Sequence, residues 1–139
     1  MSLRPHALTV LRRVRQIETD VARRDLADIL AELEAIAARA ASVEREVATA
    51  RLGQDDLAAR DAFVRWLDRM RLERARLTDQ ARDAEARAGA ARQALAERRR
   101  AETVAEEALA RAMAELGKEA AHREQIVLED AARGFRRMV

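Results

Sequence analysis

Apolar residues recur at Ile29, Leu33, Ile36, Ala40, Val43, Val47 and Ala50 in alternating steps of four and three. That spacing keeps one stripe of a helix turned toward a partner helix. Upstream the stripe continues through Val10, Val14, Ile17 and Val21, and the eight-residue step from Val21 to Ile29 predicts a stutter that locally unwinds the supercoil. The first helix is expected to open near Pro5, which a first turn tolerates. Gly53 followed by Gln54, Asp55 and Asp56 gives a helix stop and a new Asp N-cap, so the turn is placed there. From Phe63 the stripe resumes at Leu67, Met70, Leu77, Ala81, Ala84, Ala88, Ala91 and Leu95, with Arg74 as a polar interruption. It then reaches Ala105, Leu109, Met113, Leu116 and Ala120 after an irregular stretch at Arg98, Arg99 and Arg100. The pattern predicts an all-α fold, a long antiparallel two-helix coiled-coil hairpin: helix one over about 5–52, a turn over about 53–56, helix two over about 57–137.

The two helices differ in length. At 1.5 Å per residue the second spans roughly 120 Å and the first roughly 70 Å. Two arrangements absorb the difference. Helix two bends or breaks near 75–80, where Thr78 and Asp79 offer an N-cap, and only its distal half packs along helix one; or residues 55–80 form a short helical elbow after the turn. Gly89 and Gly117 are weaker hinge candidates. The alanines at 81, 84, 88 and 91 let a partner backbone come close but bury little, which predicts a thin middle. Acid-to-arginine pairs four apart (Asp20 with Arg24, Asp61 with Arg65, Asp83 with Arg87, Glu107 with Arg111, Glu119 with Arg123) support solvated helix faces at about 0.2–0.5 kcal/mol each.

Composition agrees with a thin seam. Of 139 residues, only Phe63, Trp66 and Phe135 are aromatic, too few large side chains for one compact centre. The absence of cysteine excludes a disulfide framework and any cysteine-based zinc or redox site. The opening residues lack the apolar core of a secretory signal, and no stretch approaches the ~20 apolar residues of a membrane span. A soluble, cytoplasmic protein is expected. No acid precedes Glu18 or follows Asp130, while Arg4, Arg12, Arg13, Arg15, Arg133, Arg136 and Arg137 lie in those two ends. A chain folded back on itself would bring them together in one basic tip.

Catalytic chemistry has no visible home. There is no phosphate-cradling glycine loop, no HExxH and no nucleophile with a base and orienter, so no enzyme activity, cofactor or metal is expected. His6 and His122 read as surface side chains, and Glu106 and Glu107 point to different helix faces. The Arg98–Arg100 run, flanked by Glu97 and Glu102 without a stacking aromatic, reads as a solvated face rather than a nucleic-acid contact. Phe63, Trp66, Leu67 and Met70 concentrate large apolar groups on about two turns. They suit either an interface anchor or a cap on the core where the chain reverses.

Three stretches resemble a known family. The opening LTVLRRVRQIETDVARRDLADIL, the segment DAFVRWLDRM after the turn, and RQALAERRRAETVAEEALARAMAELGKEAAHREQIVLEDAARGF are similar, in order and spacing, to the FliJ/YscO family of type III export stalk proteins, flagellar and virulence-associated. The resemblance implies a non-enzymatic hairpin like a rotary-ATPase central stalk. It would enter the pore of the export ATPase hexamer with its paired terminal helices and couple the ring to the export gate membrane protein; secretion chaperones are further partners. It places Leu8, Leu11, Arg12, Arg13, Arg15, Arg133, Phe135 and Arg136 against the ATPase ring. It also implies a gate contact at Phe63, Trp66, Leu67, Met70 and Arg74, where Phe63 and Leu67 match the flagellar pattern, Met70 is larger than usual and Arg74 replaces a histidine. The alternative is a generic coiled-coil scaffold or a basic helical arm that binds nucleic acid with steep salt dependence.

Overall fold

A computed structural model describes residues 4–50 and 57–138. It is all-α: two long helices, α1 (Pro5–Thr49, 45 residues) and α2 (Leu57–Met138, 82 residues), pack against each other. Pro5 opens α1, where its missing N–H costs nothing, and the Thr9 hydroxyl donates to the Pro5 carbonyl at 2.9 Å. The expected end of helix one at 52 and the turn at Gly53–Asp56 lie outside the described residues.

α2 is unbroken, so the expected break near 75–80 and the separate elbow over 55–80 are both corrected. Thr78 does not cap a new helix. Its hydroxyl donates to the Arg74 carbonyl at 3.0 Å, one turn back within the same helix. Gly89 and Gly117 have ordinary helical backbones, and a Cβ at either would meet nothing within 4 Å. An isolated glycine costs a helix only about 1 kcal/mol relative to alanine, which the surrounding Ala, Arg and Glu residues absorb.

Contacts along the chain fall into two units, one of residues 21–96 and one of residues 1–20 with 97–139. In the first of these the helices run antiparallel: Glu44 faces Arg74 at 2.6 Å and Glu32 faces Arg87 at 2.7 Å. Its seam buries Ala22, Val43, Leu77, Ala84, Ala88 and Leu95, with Leu26, Ile29, Leu33, Ile36, Ala40 and Val47 half-buried. Ala22 and Leu26 fill the gap before Ile29 in steps of four and three, so α1 carries no stutter there and Val21 is exposed. The irregular step is on α2. Met70, Glu73, Leu77, Ala81 and Ala84 follow one another by three, four, four and three, an inserted four that locally unwinds a supercoil. The polar seam residue is accordingly Glu73, not Arg74, which is exposed and held by Glu44.

The other unit pairs the start of α1 with the stretch of α2 that begins at Glu97. Arg98 reaches Glu18 at 3.3 Å, and Glu18 also accepts from Arg15 at 3.1 Å. Leu8, Thr19 and Ala105 are buried here, and Leu11, Arg12, Arg15, Ala101, Glu102, Leu109 and Ala112 are half-buried. Thr19 hides its hydroxyl by donating to the Arg15 carbonyl at 3.0 Å, whereas Arg12 Nε is buried without a hydrogen-bond partner. The expected stripe of Val10, Val14 and Ile17 is not the seam; these side chains are 43–50% exposed. The reason is helical phase: the strict heptad through Leu26 and Ala22 runs back through Thr19, Arg15, Arg12 and Leu8, and the valine stripe lies on the far side of that helix.

From Met113 to Met138 every residue of α2 is exposed. With Glu18 beside Arg98 in an antiparallel pair, the first residues of α1 lie level with about residue 112, and α2 continues alone for roughly 40 Å. The single basic tip is therefore corrected: Arg133, Arg136 and Arg137 stand roughly 30 Å or more along the axis from the arginines of α1.

Candidate functional site

In the unit of residues 21–96, Phe63, Trp66, Leu67 and Met70 are all half-buried on the side of α2 that carries its seam. The rings of Phe63 and Trp66 sit 5.7 Å apart at 32°, a tilted pair that stiffens this end of α2. Arg74, one turn on, points its guanidinium at Glu44. The five residues expected to contact a gate thus include four that already serve the seam in part and one engaged in an ion pair. Periodicity passed over the apolar groups that stand outside: Leu57, Val64 and Leu72 are 75%, 54% and 71% exposed. An open groove also runs between the helices of this unit, lined by Ala27, Leu30, Ala31, Ala37, Thr78 and Ala81.

The residues expected against an ATPase ring divide in a similar way. Leu8 is buried in the seam and Leu11 and Arg12 are half-buried beside it, so they hold the pair together. Arg15 is tied to Glu18. Arg13, Arg133, Phe135 and Arg136 are exposed, and Phe135 is 71% open to solvent. Two surfaces in this unit are apolar and open: the α1 stripe of Val10, Val14 and Ile17, and the lone end of α2.

On that lone end, Met113, Leu116, Ala120, Val127, Ala131, Phe135 and Met138 follow an eleven-residue rhythm and fall within an arc of about 100°. Glu124 is the one polar residue in the line. Helices that are apolar on an unpaired side mark interaction sites, because monomeric proteins seldom leave such strips open.

Among the described residues no group of His, Cys, Asp or Glu is arranged to hold a metal, and no helix is long and apolar enough to cross a membrane. Charge is used between helices. Arg87 binds both oxygens of Glu32, which holds the Glu32 carboxyl below the ordinary carboxylate range and raises the Arg87 guanidinium in turn. The expected partner within the helix, Asp83, adds only a smaller charge attraction to Arg87. Arg98, at the head of the arginine run, is likewise engaged by Glu18.

Compared with known proteins, the chain matches no family model, no curated protein and no solved structure.

Proposed function

We propose that this protein is a non-enzymatic stalk or coupling subunit of a type III export apparatus, peripheral to the cytoplasmic face of the inner membrane. The observation that carries this reading is the open apolar surface of one unit: the Val10, Val14 and Ile17 stripe on paired helix, followed by the long unpaired end of α2 bearing Phe135, Arg133 and Arg136. A single projecting helix suits entry into the pore of a ring ATPase, where an acid-lined wall would attract its basic end. Asymmetric contacts inside a symmetric ring bias the ATP-binding states of the subunits by unequal affinity. The family resemblance of the three sequence stretches supplies the identity of the ring; the exposed apolar groups supply the means of holding it.

Contact with an export gate is assigned to the start of α2, which carries the half-buried Phe63, Trp66, Leu67 and Met70 on its seam side and the open Leu57 and Val64 on its outer side. Chaperone binding belongs to the same reading without assigned residues.

The test is the ATP hydrolysis rate and oligomeric state of the cognate export ATPase with and without this protein. Stimulation with hexamer formation is the expected result, with Phe135→Ala and Val14→Asp weakening it and the exposed Ala86→Ser leaving it unchanged. No stimulation and no complex at low salt would sink the stalk reading and leave a helical scaffold.

A further inference from the structure

We propose that the unpaired end of α2, residues 113–138, docks onto the same segment of a second copy of this chain, antiparallel, about a two-fold axis between Gln125 and Ile126. This does not depend on the export reading, since it follows from how the segment matches itself.

The apolar line is palindromic. In an antiparallel pair centred on that axis, Met113 lies level with Met138, Leu116 with Phe135, Ala120 with Ala131, and Val127 with Glu124. The pair thus has large side chains at its two ends, alanines inside them and Val127 against Glu124 about its centre. Gly117 lies level with Gly134 in the same register. Within one chain neither glycine is required by backbone or packing, as both are helical and a Cβ on either would meet nothing. Between two chains they permit close approach of backbones.

Charge sets the direction. Glu115, Glu119, Glu124, Glu129 and Asp130 precede Arg133, Arg136 and Arg137 along the segment. A parallel pair would lay the acidic stretch beside itself and the basic end beside itself. The antiparallel pair brings Arg136 level with Glu115, and Arg137 one position further on. Arg123 and Asp130 lie seven residues apart on one flank of the apolar line, so across the axis each Arg123 meets the other copy's Asp130, twice over. Within the single chain Arg123 donates its Nε–H to the Glu119 carbonyl at 3.4 Å and holds a loose ion pair to the Glu119 carboxylate at 3.9 Å, which leaves it exposed and within reach of a second acid.

The alanine and glycine layers bury little and Glu124 is placed among apolar groups. The pair therefore sits near the lower edge of specific interfaces, about 1,200 Å² in total, and associates weakly, with a Kd on the order of micromolar. Self-docking and any other engagement of this helix draw on one strip and exclude each other.

Sedimentation equilibrium of the full chain, from low to high micromolar concentration, tests the proposal. The expected mass rises from 15.6 kDa toward twice that value. Val127→Glu keeps the helical circular dichroism and weakens association by tenfold or more, because Val127 is 66% exposed in the single chain and its loss leaves the fold intact. Arg123→Asp and Asp130→Arg each weaken it and together restore it. Glu124→Leu tightens it. Register is read from single cysteines placed in this cysteine-free chain: an oxidised mixture of Leu116→Cys and Phe135→Cys forms the mixed disulfide in preference to either like pair. A chain that stays monomeric throughout, or cross-links that favour position 116 with 116, overturns the proposal.

Discussion

Arg87 of α2 donates hydrogen bonds of 3.0 and 2.7 Å to the two carboxylate oxygens of Glu32 on α1. It is the bidentate arginine–carboxylate geometry that gives both charge attraction and direction. Because the bond lowers the Glu32 pKa in the folded chain, it stabilises fully above the ordinary glutamate range near 4.3 and is lost as pH falls through the lowered value. Thermal melts from neutral to acid pH should therefore show a falling midpoint. In Glu32→Gln that fall should be shallower, and an unchanged slope would remove the pair from the account.

Val43 is fully buried and Val14 is 43% exposed, although both stand on stripes of the same spacing. Val43→Ala should cost about 2 kcal/mol through lost burial and a small cavity. Val14→Ala should change stability by less than about 0.5 kcal/mol, as open surface positions do. Chemical denaturation of both variants separates the seam from the outer stripe; equal losses would mean that Val14 is packed.

Gly89 has helical backbone with free space where a side chain would be. Gly89→Ala should raise stability by about 0.5–1 kcal/mol, from helix propensity alone. Destabilisation would reveal a close neighbour at that turn.

Amides of 98–112 sit on helix that packs against α1, while those of 116–136 rely on helix propensity alone. A lone helix of this length is marginal in water. Hydrogen exchange in the monomer should be slower in the first stretch than in the second, and uniform protection would contradict an unpaired end.

The sequence was readable where large apolar residues hold the heptad without rivals, as from Ile29 to Val47. It misled where two stripes compete. Val10, Val14 and Ile17 look like a seam because they are β-branched and apolar, while the true seam passes through Arg12, Arg15 and Thr19, whose polar groups disguise it. Phase inherited from the stronger heptad decides between them, and periodicity within a short window does not register that inheritance. The inequality of the helices was also plain from their lengths, but which end absorbs it depends on pairing register, set here by contacts such as Glu18 with Arg98 between residues far apart in sequence. For the same reason the within-helix rule paired Arg87 with Asp83 and missed Glu32. Of the candidate site, the apolar cluster at Phe63 was visible in the sequence; the openness of Val10, Val14, Ile17 and Phe135 came only with the structure.

Ala84 and Ala88 are fully buried on either side of Arg87. On the α2 side of this part of the seam the buried positions hold only methyl groups, set against Leu33 and Ile36 of α1, so these two residues act as a ruler for the gap between the helix axes, and that gap decides whether a guanidinium can span it. Enlarging either alanine would prise the axes apart and stretch the bond to Glu32 without touching a charged atom. Steric fit and ion pairing in this stretch are one property, and neither residue type can drift alone.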